Sequence, residues 1–111
     1  MNAEPLEFAG DVIRFDDRSI ATEHPVESAY RVKGRIVVLY DPDSATAEIS
    51  NLVCLDLNGR VLWRAEYPRV DREDYYYRIK SIEPLVAYSF TSFACEISLD
   101  NGRIVKREFF K

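Results

Sequence analysis

Tyr75, Tyr76 and Tyr77, with Arg69, Arg72 and Arg78 around them, form the segment whose residue types and spacing best suit recognition. Tyr and Arg dominate binding hot spots because they bring a large contact area and polar tips that survive burial. In a β-strand the same run also places alternate rings in the core and on a sheet face, so ordinary packing is the competing reading. Rings beside arginines can stack single-stranded nucleic acid, but Asp71, Glu73 and Asp74 flank them and would repel its backbone. Those carboxylates are also the nearest approach to an acid–base pair. Alternating charges in a loop are a solvated feature, and no catalytic residue is assigned.

The remaining chemistry-bearing residues are sparse. His24 is the only histidine and precedes Pro25, so it reads as a loop residue without the further ligands a metal needs. The segment Asp41 to Glu48 has an Asp-x-Asp-x-x-Thr-x-Glu order suggestive of calcium. Thr46 and Leu52 stand where a calcium loop needs Gly and Glu, so a helical turn capped by Asp43 or Ser44 is expected instead. Cys54 and Cys95 fall inside expected strands and read as buried, reduced thiols. Gly-x-Ser-x-Gly, Walker, Gly-x-Gly-x-x-Gly and Cys-x-x-Cys patterns are all absent. The expectation is a non-enzymatic chain with no cofactor and no metal.

The element that must position these residues is a hairpin over Asn51 to Glu66, turning at Asn58-Gly59, since Asn-Gly suits the positive φ angles of a two-residue type I′ turn. That register pairs Leu55 with Leu62, Cys54 with Trp63 and Val53 with Arg64. It places Val53, Leu55, Leu57 and Leu62 on one face and Leu52, Cys54, Val61 and Trp63 on the other. Both faces are apolar, so the hairpin is expected centrally in the core, covered on each side. Gly34-Arg35-Ile36-Val37, Gly59-Arg60-Val61-Leu62 and Gly102-Arg103-Ile104-Val105 repeat one motif, the last two copies 43 residues apart. Repeats of about 40 to 45 residues are the period of propeller blades.

Leu52-Val53-Cys54-Leu55-Asp56-Leu57-Asn58-Gly59-Arg60-Val61-Leu62-Trp63 resembles the Val-x-Ala-Leu-Asp-x-x-x-Gly-x-x-Leu-Trp segment of quinoprotein-like β-propeller repeats. The resemblance covers this hairpin well and Ser98 to Val105 weakly, and it implies a blade-like hairpin without implying a cofactor. A closed propeller needs at least about four blades. The 111 residues hold too few at this period, which leaves a meander that curls into a barrel or folds over as a sandwich, copies of the chain that assemble, or blade-like hairpins standing alone. One curled or folded sheet is preferred, because it covers both faces of the central hairpin within one chain.

Other hairpins are expected from Val12 to Thr22 around Asp16-Asp17-Arg18, and from Glu27 to Tyr40 around Lys33-Gly34, after a short edge strand at Leu6 to Phe8. A strand from Tyr75 to Ile82 places Tyr77 and Ile79 on one face and Tyr76, Arg78 and Lys80 on a wetter one. Glu83-Pro84 turns it into Leu85 to Phe90. A last hairpin at Asn101-Gly102 pairs Glu96 with Arg107 and Leu99 with Ile104, leaving Phe109-Phe110 in need of a surface to pack on. The fold class is therefore all-β: one domain over residues 1–111, an antiparallel meander of about five hairpins forming a curled sheet, barrel or sandwich.

Fifteen Lys and Arg against nineteen Asp and Glu give a net charge of -4. Nucleic acid and anionic membranes are disfavoured as partners, and a basic protein is favoured. No leader pattern or long apolar stretch is present, so a cytoplasmic location is expected. The reading is a non-catalytic, acidic protein-binding module of the kind that neutralises a basic partner, as immunity-type proteins do. Its alternatives are a small-molecule binding domain or a module that oligomerises through an open sheet edge.

Overall fold

The computed structural model describes residues 3–44, 49–68 and 73–110. The strands are β1 (Glu4–Pro5), β2 (Glu7–Ala9), β3 (Val12–Phe15), β4 (Arg18–Ala21), β5 (Val26–Val32), β6 (Arg35–Tyr40), β7 (Leu52–Leu55), β8 (Val61–Arg64), β9 (Tyr76–Ile82), β10 (Leu85–Ser89), β11 (Phe93–Ile97) and β12 (Ile104–Phe109). They form three antiparallel sheets: β1-β5-β6-β7-β8, β2-β3-β4 and β12-β11-β10-β9. Each is a meander of sequence neighbours except where β1 joins β5. The fold is all-β as expected, and sandwich-like, with separate sheets in place of one curled sheet.

The middle layer is the five-stranded sheet, and its alternation explains why. Ile36, Val38, Tyr40, Val53 and Leu55 pack with Ile13, Phe15 and Ile20 of the three-stranded sheet. Val37, Leu39, Leu52 and Cys54 pack with Tyr76, Leu85, Ala87, Cys95 and Ile97 of the four-stranded sheet. A strand with apolar residues on both faces needs cover on both, and β6 and β7 receive it. Leu6, buried between β1 and β2, marks where the chain passes from the middle sheet to the outer one.

The turns at Asp16-Asp17 and Lys33-Gly34 have positive φ at both positions, as a type I′ turn requires. Arg18 pairs with Phe15 and so belongs to β4 and not to the loop. The two Asn-Gly turns differ from expectation. At the first, only Gly59 has positive φ, Gly59 N–H donates to Asp56 O at 3.0 Å, and Asp56 N–H donates to Arg60 O at 2.8 Å. The Asp56 carboxylate accepts the N–H groups of Asn58 and Arg60, holding a longer loop in place of the two-residue turn.

The longer loop brings a bulge that sets Val61, not Leu62, opposite Leu55, while Cys54–Trp63 and Val53–Arg64 pair as expected. Val61 and Leu62 are exposed, and β8 is the edge of its sheet, so of this hairpin only β7 is fully core. The last hairpin likewise carries a bulge, so Glu96 faces Lys106, not Arg107, and Ile104 faces Ile97, not Leu99. The three Gly-Arg motifs each close a turn and lead into a strand, β6, β8 or β12. Pro42–Ser44 forms a single 3-10 turn whose N–H at Asp43 is capped by Asp41 Oδ1, so Asp41 caps it and not Asp43 or Ser44.

Candidate functional site

Aromatic rings gather at one end of the four-stranded sheet, around the β10–β11 turn. This turn is fastened to the start of β9 by Asp74. Its buried carboxylate accepts the Tyr75 N–H at 2.9 Å, the Thr91 N–H at 3.2 Å and the Thr91 hydroxyl at 2.6 Å. Phe90 N–H donates to Tyr75 O at 2.8 Å. A carboxylate with several hydrogen bonds is an effective internal clamp, and here it sets Tyr75 and Phe90 side by side. Their rings stack at 4.9 Å and 17°.

The three tyrosines then part company. Tyr76 is fully buried: its hydroxyl donates to Glu66 O, and its main chain is bound on both sides by the Asn51 side chain. Burial pushes its phenol far up from the usual tyrosine range. Tyr77 is 43% exposed. This reverses the expected faces, and the reason is the pairing of β9 with β10. Tyr76 faces Ser89 and Arg78 faces Tyr88, leaving Tyr77 as an extra bulged residue; Lys80 is bulged in the same way between Ile79 and Ser81. Strict alternation is broken twice, and the inward residues become Tyr76, Ile79 and Ile82, three apart.

Beyond Tyr77 the rings continue across the sheet. Tyr77 lies 6.2 Å from Tyr88, Tyr88 lies 5.1 Å from Phe110, and Phe93 meets Phe109 edge-on at 5.5 Å. Arg107 places its guanidinium 5.4 Å from the centre of the Phe93 ring and donates to Pro68 O. Phe90 is 61% exposed and Tyr77 43%, so the rings of the β9–β10 end face solvent, whereas Phe93, with Phe109 beside it, packs against the core on the other face of the sheet. Paired aromatic rings keep defined geometry at low side-chain entropy, which makes such a surface ready for contact.

Of the residues singled out in the sequence, Tyr75, Tyr77 and Arg78 belong to this end of the sheet, and Arg78 is exposed opposite Tyr88. Tyr76 is a core residue and is withdrawn from the contact surface. Arg69 and Arg72 lie outside the described residues. Tyr88, Phe90 and Phe110 join this surface without having been singled out in the sequence. The available signal was the aromatic density of the last strands, but assembling it needs the cross-strand register, which the bulges obscure.

The other chemistry-bearing residues stand apart. His24 is edge-on to Tyr40 at 5.3 Å, and both cysteines are free and buried. Burial raises each thiol to about 11, which leaves it protonated and unreactive at neutral pH. A cleft of about 340 Å³ runs between Lys33, Arg35, Glu96 and Asp100. Its two cations are already engaged: Lys33 lies 3.4 Å from Glu83, and Arg35 donates to Leu99 O at 2.5 Å. Among the described residues no helix is long and apolar enough to cross a membrane.

Neither the curated proteins nor the solved structures contain a match to this chain. A family model described as "Domain of unknown function (DUF7957)" matches residues 3–109, nearly the whole chain, which therefore belongs to that family.

Proposed function

We propose that the chain is a non-catalytic protein-binding module whose contact surface is the aromatic end of the four-stranded sheet, and that its partner presents basic side chains there. One observation carries the reading: the stacked Tyr75–Phe90 pair and the Tyr77–Tyr88 pair lie two residues apart at the same end of the β9–β10 ladder, and Tyr77 and Phe90 are left open to solvent. A monomeric domain ordinarily buries such rings, and exposed aromatic clusters mark interaction sites. The preference for a basic partner rests on charge and on ring chemistry. The chain carries a net charge of -4, and aromatic faces attract guanidinium and ammonium groups. The chain already uses this contact internally, with Arg18 and Arg31 both over the Phe15 ring at 5.4 and 5.3 Å.

The test is affinity capture from source-cell lysate with the wild type and with Tyr75→Ser/Tyr77→Ser/Phe90→Ser as baits. Tyr76 is left intact because removing it would unfold the domain. The proposal expects one basic protein to be enriched by the wild type and lost with the variant. Identical captures from the two baits, with the variant folded, would remove the aromatic end as the binding surface.

A further inference from the structure

We infer that the chain pairs with a second copy of itself through the free edge of β12, forming a continuous eight-stranded sheet about a twofold axis at Arg107. This does not depend on the aromatic end being a partner site. The edges of the three sheets are unequal. β1 has two residues, one of them Pro5, and β2 and β4 are three and four residues long. β8 is four residues long with a bulge beside it, and β9 is bulged twice. Short strands, proline and bulges are the devices that keep an edge from pairing. β12 has six residues and is exposed from Val105 onward, with its one bulge near its start.

The direction of the main-chain groups follows from the ladder. Phe110 N–H donates to Ser92 O at 2.8 Å, so Phe110, and by alternation Glu108 and Lys106, bond inward to β11. The N–H and C=O groups of Arg107 and Phe109 therefore point away from the sheet. Among the described residues, main-chain groups of the edge are covered only at its beginning. Glu66 accepts the Ile104 N–H at 2.8 Å and donates its own N–H to Gly102 O at 3.0 Å. None of the described residues bonds the outward groups of Arg107 or Phe109.

Charged residues usually blunt an edge, but here their order is self-complementary. With Arg107 opposite its twin, antiparallel pairing sets Lys106 opposite Glu108 of the second copy twice over. It also sets Val105, 63% exposed, opposite Phe109, 65% exposed. Opposite charges and aromatic–β-branched pairs are both favourable directly across a ladder. Shifting the register by two residues either way sets Lys106 against Lys106 or Glu108 against Glu108. The two Arg107 charges are drawn off the axis, because each guanidinium lies over its own Phe93 and donates to its own Pro68 O. The interface is isologous and closes at two copies.

The experiment is sedimentation equilibrium of the intact chain across a concentration series from micromolar to submillimolar, with three charge variants. The wild type is expected to move from monomer to dimer. Lys106→Glu and Glu108→Lys, both at exposed positions, are each expected to weaken dimerisation about ten- to a hundred-fold, because two attractive pairs become repulsive. The double swap Lys106→Glu/Glu108→Lys, and an equimolar mixture of the two single variants, should regain the dimer, since each restores opposite charges across the axis. A wild type that stays monomeric throughout, or a dimer that the single variants leave unchanged, would overturn the proposal. Tyr77→Ser/Phe90→Ser should dimerise like the wild type, which separates this edge from the aromatic end.

Discussion

The Asn51 side chain binds the main chain of Tyr76 from both directions: its Oδ1 accepts the Tyr76 N–H at 3.0 Å and its Nδ2 donates to Tyr76 O at 2.7 Å. The same Nδ2 lies 3.1 Å from Tyr40 O. A single amide thus stands in for a neighbouring strand, joining the middle sheet to the four-stranded sheet inside the core, where Asn51 is 1% exposed.

Replacing Asn51 with Leu should therefore destabilise the chain by about 3 kcal/mol or more, because buried main-chain groups lose their partners at about 1 to 3 kcal/mol each. Urea unfolding of Asn51→Leu checks this. A change below about 1 kcal/mol would mean that water satisfies Tyr76 equally well.

Gly102 and Gly34 both have positive φ, yet they should respond differently to substitution. A Cβ at Gly102 would fall 2.5 Å from Trp63 Cε3, whereas one at Gly34 meets nothing within 4 Å. Gly34→Ala should lose only the conformational term, about 1 kcal/mol. Gly102→Ala should lose that and displace Trp63, whose indole N–H donates to Leu99 O at 2.9 Å, for a total of about 3 kcal/mol. Equal losses in denaturant midpoint would show that the Trp63 contact yields freely.

Alkali should weaken the fold through its thiols. Burial holds Cys54 and Cys95 protonated, moving each from 9.0 up to about 11. As pH rises, the unfolded chain loses these protons first, so stability is intact below about pH 8.5 and falls until the folded thiols ionise. The loss is of order 2 kcal/mol per thiol at the end of that window. Unfolding midpoints between about pH 7 and 9.5, below the tyrosine range, should decline for the wild type and stay nearly level for Cys54→Ala/Cys95→Ala. Parallel curves would assign the decline to other groups.

Local chemistry explains which parts of the fold were legible in the sequence. Lys33-Gly34 and Asp16-Asp17 turn where their φ preferences suggest, and Leu52 to Leu55, apolar on both faces, require the cover on each side that they receive. The two Asn-Gly loops depart from a two-residue turn because hydrogen bonds within them outweigh the dipeptide preference: the Asp56 carboxylate holds the first, and Gly102 N–H to Ser98 O the second. The candidate site was half visible. Tyr75 and Tyr77 belong to it, but the bulge that turns Tyr76 inward is set by pairing with β10, and Asp74 and Asn51 acquire their roles only from partners distant in sequence.

The contrast between Tyr76 and its neighbours bears on that same site. Tyr76→Ser should unfold the domain or cost more than about 3 kcal/mol, while Tyr77→Ser should cost less than about 1 kcal/mol. Thermal unfolding of the two variants would separate core from surface, and equal losses would contradict the bulged register of β9.

The central claim is that the exposed rings at the end of the four-stranded sheet bind a basic protein. Its most direct test is calorimetric titration of the captured partner into the wild type and into Tyr75→Ser/Tyr77→Ser/Phe90→Ser, at low and high salt. Loss of hot-spot rings predicts affinity at least about a hundred-fold weaker in the variant, with wild-type affinity falling as salt rises. Equal affinity for the two proteins would contradict the claim.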